Sequence, residues 1–157
     1  MTPRTPITRT VLGLLAATLV ACDSSPFDYD DFTELDPEVV AFAELMNEHR
    51  LDVGCAPLTW NVEVAMVARA HSQDMVDRDF FAHTNPDGAS PFDRMDAAGI
   101  DFSGAAENIA WGYPTAEAVL DGWLNSTGHR NNIENCNLTE HGVGLVGSHW
   151  THLFIRP

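Results

Sequence analysis

A layered α/β domain with a largely antiparallel sheet is the fold class this sequence predicts, and three observations lead there. Helical stripes alternate with only a few strand signals, which points to helices laid on a sheet. The last two strand signals are neighbours joined by Gly147-Ser148, a hairpin connection foreign to a doubly wound parallel sheet. The chain has 157 residues, 45% of them hydrophobic, enough for one core and too few for two comfortable ones.

Residues 1–21 place Arg4 and Arg9 ahead of an apolar run from Val11 to Val20, the order of an export signal. The run is too short to remain as a membrane-spanning helix. It ends in Leu19-Val20-Ala21-Cys22, which resembles the bacterial lipobox, whose cysteine is lipidated and becomes the new N-terminus. The other reading is a cysteine that happens to follow a conventional cleavage site. Acyl chains on Cys22 would make the membrane a partner, each buried methylene contributing about 0.8 kcal/mol. The expected location is then the bacterial cell envelope, on the extracytoplasmic side. Residues 22–36 read as an acidic tether, because six of the fourteen residues from Asp23 to Asp36 are acidic and few are aliphatic. The folded domain is expected over residues 37–157.

Asp36-Pro37 starts the first helix as N-cap and first helical residue, with Val39, Phe42, Leu45, Met46 and His49 on one stripe and an end near Gly54. A second helix from Asn61 to about Asp79 carries Val64, Ala65, Ala68, His71, Ser72, Met75 and Val76 on its apolar face, so His71 reads as a core histidine. Ser90-Pro91 with Asp93 signals a third, short helix ended by Gly99. Thr115 caps a fourth, with Val119, Leu120, Trp123 and Leu124 inward. Strands are expected near Asn108–Trp111, over Gly142–Val146 and over His149–Ile155.

Charge narrows the partners. The chain has a formal charge of −15; without residues 1–21 six basic residues face 23 acidic ones, giving −17. Nucleic acid and anionic lipid are repelled by such a domain. Of the three cysteines, lipidation of Cys22 leaves Cys55 and Cys136 as an even pair in an oxidising compartment, so a disulfide is expected. Closing so long a loop stabilises by about 4 kcal/mol in the chain-entropy account.

Seven histidines invite a metal site, yet no paired-histidine helix motif is present, so any site must be assembled from separate segments. The segments HSQDM (71–75), FFAHTNPDG (80–88), AENIAWG (106–112), WLNSTGHRNNI (123–133) and EHGVGLVG (140–147) occur in an order and spacing that resembles the CAP family, the SCP-like cysteine-rich secretory proteins. That resemblance covers roughly residues 38–155. It implies an α-β-α sandwich, extracellular placement, and a cleft lined by two histidines and acidic residues. Position by position, His83 matches the first cleft histidine, Glu107 the glutamate and His129 the second histidine, while the family's second glutamate falls at Ser126. Ala106 stands where a glycine is usual.

Two readings of His83, Glu107 and His129 follow. Two neutral imidazoles, with a carboxylate as ligand or as orienting partner, suit a divalent metal such as zinc, held by His83 and His129. Alternatively the three form a hydrogen-bonded network that fixes the cleft and holds no metal tightly. The leading functional expectation is a noncatalytic binding module whose His83, Glu107, His129 and Ser126 cleft takes a small ligand, lipid-like ones included. A metal-assisted hydrolase acting on peptide or cell-wall material, with Glu107 as base, is the alternative; Ser126 as a nucleophile beside His129 lacks an acid partner. A third reading is an assembly or adhesion protein using its acidic surface.

Overall fold

Asp36 opens the first helix as its sequence requires. In a computed structural model, which describes residues 36–157, its carboxylate accepts the Glu38 N–H at 2.8 Å and Pro37 takes the first position of α1 (Pro37–Asp52). The export segment, Cys22 and the tether up to residue 35 lie outside the described residues. Val39, Phe42 and Met46 are buried as the stripe demands, and so is Arg50, which the pattern did not flag. A two-residue strand, β1 (Thr59–Trp60), is too short to leave a periodic signal. Asn61 then caps α2 (Val62–Asp77), which buries His71 and Ser72; Val76, expected on the same face, is instead 41% exposed because the stripe ends at Met75.

Ser90 and Asp93 close a reciprocal capping box on α3 (Pro91–Ala97), and Gly99 beyond it has φ of +75°. β2 (Gly104–Trp111) begins four residues before the predicted strand. Thr115 caps α4 (Ala116–Leu124). Residues Thr127–Ile133, not among the four predicted helices, form a helix, α5, whose N-cap Ser126 makes no side-chain capping bond. With Gly128 inside it and no cap, α5 has no strong local signal; its form is imposed by docking. β3 (Glu140–Val146) and β4 (His149–Arg156) make the expected hairpin, turning at Gly147 with φ of +59°.

The four strands are ordered β1-β3-β4-β2; β1 runs parallel to β3, and the other pairings are antiparallel. Alternation along the strands sorts the side chains. Ala105, Leu153 and Ile155 join Val64, Val67 and Ala68 of α2 and Met95 of α3 in one cluster. Ala106, Ala110, Trp150 and Phe154 join the buried faces of α1, α4 and α5 in the other. The domain is therefore a mixed α/β sandwich of helix, sheet and helix. No described helix is long and apolar enough to cross a membrane.

One corner of the domain is tied by covalent and charged links together. Cys55 and Cys136 form a disulfide across 81 residues. Beside it Arg50, 1% exposed, donates to the carbonyls of Ala56, Ile133, Asn135 and Leu138 at 3.0, 2.6, 3.1 and 3.2 Å. Carbonyl dipoles here take the place of a counter-ion, and they fasten the end of α1 to the α5–β3 connection.

Candidate functional site

The site forms at β2 because, among the described residues, β2 is an edge strand with β4 as its sole strand neighbour. An edge leaves main-chain groups open, and here side chains cover them. The Trp123 indole donates to the Ile109 carbonyl at 3.2 Å, and the Asn132 amide to the Glu107 carbonyl at 3.4 Å. Asn132 also donates to the Asn108 side chain at 2.8 Å, while Asn108 donates to the His129 carbonyl at 3.1 Å. These bonds seat α5 against the sheet and thereby position His129.

Glu107 shares its strand face with Ala105 and so points into the α2–α3 layer, where its side chain is 2% exposed. His83 Nδ1 lies 2.8 Å from one carboxylate oxygen and Arg94 donates to the other at 2.6 Å. Since a carboxylate only accepts, His83 donates to it from Nδ1, and its ring is half-exposed. Arg94 also donates to the carbonyls of His83 and Ala89 at 2.8 and 3.1 Å. His71 holds the same loop through Nε2, 3.0 Å from the Ala82 carbonyl. Burial, then the charge of Arg94, pushes the His71 pKa down, so the ring is neutral at neutral pH.

His129 belongs to the opposite layer, with α1, α4 and α5. Burial, then repulsion from His83, lowers its pKa. The two histidines feel each other only because β2 is an edge, around which groups from both layers reach. Beside His129 is a cavity of about 320 Å³ walled by Phe81, Trp111, Tyr113 and Trp123, with Ser126 and His129 among its polar groups. The residues singled out in the sequence thus divide. Ser126 and His129 line the cavity, whereas His83 and Glu107 form a hydrogen-bonded pair that does not line it. Ala106 takes extended strand backbone, so the usual glycine is not needed there.

The donor set does not fit a divalent ion. Both oxygens of Glu107 are engaged, one by a guanidinium, and among the described residues no three His, Cys, Asp or Glu side chains are grouped as ligands. Nor does any carboxylate among the described residues hydrogen-bond the His129 ring to orient it toward Ser126. Arg94, Asn108 and Asn132 hold the site together, yet sequence reasoning passed over them. Asn108 and Asn132 sit inside the segments AENIA and GHRNNI and were legible there; Arg94 gave no signal, being an arginine on a short helix.

The profile of the cysteine-rich secretory protein family, CAP, matches residues 43–153. The chain is 48% identical over 114 residues to the uncharacterized protein YkwD of Bacillus subtilis, spanning 71% of this chain and 44% of that protein. It is 39% identical over 113 residues to the uncharacterized membrane protein YlbC of the same organism, spanning 72% of this chain and 33% of that one. The chain thus spans less than half the length of these relatives. Among solved structures, an extracellular SCP-domain protein from Bacillus anthracis superposes with a TM-score of 0.76 at 35% identity, over 85% of this chain and 45% of that one. An outer surface protein of Borrelia burgdorferi shares the fold at a TM-score of 0.73 and 19% identity, over 78% of this chain and 95% of that one. With its sandwich, its ordered segments and a family match across most of its length, this chain belongs to the cysteine-rich secretory protein (CAP) family.

Proposed function

We propose that the domain is a noncatalytic binding module that takes a small, uncharged ligand, lipid-like compounds included, in the cavity beside β2. The observation that carries this reading is the cavity itself: about 320 Å³, with aromatic walls from Phe81, Trp111, Tyr113 and Trp123 and polar lining groups that include His129 and Ser126. Few directional groups on an apolar wall are what orient a small ligand. His83, Glu107 and Arg94 act as the frame that holds the adjoining loop. A divalent ion has no part in this reading, since it would rest on His83 and His129 alone. The hydrolase alternative asks Glu107 to take a proton, which requires Arg94 and His83 to release it.

Mass-spectrometric inventory of compounds and metals carried by the natively purified protein tests the module. The expected result is an uncharged small molecule that is lost in Ser126→Trp, a substitution that fills the cavity, at unchanged melting temperature. The same compound in the same amount in both proteins would sink the reading.

We further propose that the domain is exported and held by a lipid on Cys22. The extracellular description of the Bacillus anthracis relative supports the placement, and the lipobox-like Leu19-Val20-Ala21-Cys22 supports the anchor. Metabolic labelling with an acyl-chain probe is expected to mark the wild type and not Cys22→Ala; labelling of both would refute the anchor.

A further inference from the structure

Trp111 is 62% exposed, the most exposed of the large hydrophobic side chains among the described residues, yet it is not loose. His149 lies directly across from it in the β2–β4 register, and the two rings stack at 5.4 Å between centroids and 14° between planes. A cross-strand aromatic pair of this kind fixes the indole plane before any ligand arrives. Phe81, 46% exposed, places its ring 6.4 Å from the indole at 40°. Both Trp111 and Phe81 also wall the cavity that His129 and Ser126 line. A preset, solvent-facing aromatic plane therefore adjoins a small hollow whose hydrogen-bonding groups include Ser126 and His129.

Three properties narrow the ligand. The cavity lining contains no carboxylate, guanidinium or ammonium, and the His129 pKa is lowered, so the hollow is uncharged at neutral pH. Its about 320 Å³ lies at the low end for ligand pockets, room for a compact ring and not for a long chain. Finally, its widest aromatic surface is open to water, whereas an acyl chain gains most where it is enclosed. A pyranose ring meets all three: an apolar C–H face lies on an aromatic plane while hydroxyls around the ring reach polar groups. The surrounding chain, formally −15, disfavours anionic polymers.

We propose that Trp111, backed by His149 and flanked by Phe81, is the platform on which this cavity binds a neutral glycan, one sugar ring stacked on the indole and its hydroxyls bonded to Ser126 and His129. The inference rests on the binding-module reading and narrows it to a ligand class. Preorganisation by His149 lowers the ordering cost that an exposed tryptophan would otherwise carry into binding.

The test is calorimetric and fluorescence titration of the purified full-length protein with a panel of uncharged tetrasaccharides built on glucose, mannose, galactose and N-acetylglucosamine, and separately with 1-dodecanol. Saturable binding of at least one tetrasaccharide is expected, weakened tenfold or more in Trp111→Ala, largely retained in Trp111→Phe, and weakened several-fold in His149→Ala, at wild-type melting temperature throughout. Sugar affinity unchanged in Trp111→Ala overturns the platform. Binding of dodecanol that Ser126→Trp blocks, with no sugar bound, overturns the glycan and leaves the binding module standing. If neither class binds, both readings fall.

Discussion

Gly142→Ala and Gly144→Ala should each lower stability by upwards of about 4 kcal/mol, at the extreme of what single substitutions do. A Cβ on Gly142 would sit 2.1 Å from the Ala65 nitrogen, and one on Gly144 would sit 2.2 Å from the Arg69 backbone. Both obstacles are main chain of α2, so no rotamer change relieves them. The spacing explains the pair: two residues along a strand and four along a helix advance by nearly the same length, roughly 6–7 Å. The helix therefore lies along a track of two missing side chains. Ser72 fixes this approach by bonding the Gly144 carbonyl and the Thr151 hydroxyl at 3.1 and 2.8 Å. Urea unfolding checks the expectation through a lower midpoint at constant slope. Gly128→Ala is the control, since nothing lies within 4 Å of its added Cβ and it sits inside α5; stability there should rise by about 0.5–1 kcal/mol. An unchanged midpoint in Gly144→Ala would mean that α2 does not rest on the sheet as described.

Stability should also fall steeply as the pH drops from 6.5 toward 4, by about 3 kcal/mol from His141 alone. His141 and His152 are each about 1% exposed or less and meet through Nδ1 and Nε2 at 3.0 Å. The charged and aromatic groups around them come from several elements: Arg50 of α1, whose charge acts on both rings, Phe42 of α1, Trp60 of β1, Trp123 of α4 and Phe154 of β4. Burial first, then the charge of Arg50, pushes His141 down to about 4. Burial, then His141 and Arg50, holds His152 well below its ordinary value. A histidine whose folded pKa is depressed binds a proton more readily when unfolded. Its neutral form is thus favoured by the fold, with full effect above pH 6.5 and progressive loss below it. Among the described residues His152 Nδ1 has no hydrogen-bond partner. An orphaned acceptor costs less than an orphaned N–H, so His152 donates from Nε2 and His141 accepts. His152→Gln keeps an amide donor there and removes one titrating ring; the stability slope between pH 6.5 and 4 should fall by up to about 1.4 kcal/mol per pH unit. An unaltered slope would place the titration elsewhere.

The neutral pair also bears on the cavity, because Trp123 packs 5.9 Å from His152 and 6.4 Å from His129 and forms part of the cavity wall. The histidines of the domain therefore have different fates. His71, His141 and His152 are core groups kept neutral, His83 is a half-exposed partner of Glu107, and His129 faces the hollow.

Elements with strong local chemistry were legible. Asp36, Asn61, Ser90 and Thr115 announce four helix starts, since each carries an oxygen that only a helix N-terminus uses well. The β3–β4 hairpin was equally clear from its alternation and its Gly147-Ser148 turn. What escaped were the elements whose form is set by neighbours. Strand β1 pairs over two residues, α5 has no cap, and Arg50 is buried because four carbonyls converge on it from chain segments up to 88 residues away.

By itself the sequence determined that this chain is a sandwich of helices on a mostly antiparallel sheet, with Cys55 and Cys136 paired. Periodicity, caps and ordered segments are local properties, and local properties survive in one dimension. Only the tertiary structure decided that Glu107 is taken by His83 and Arg94, that His129 approaches from the other layer, and that the hollow beside them is aromatic and uncharged. Those facts depend on which strand forms the sheet edge, and an edge exists only once the strands have paired.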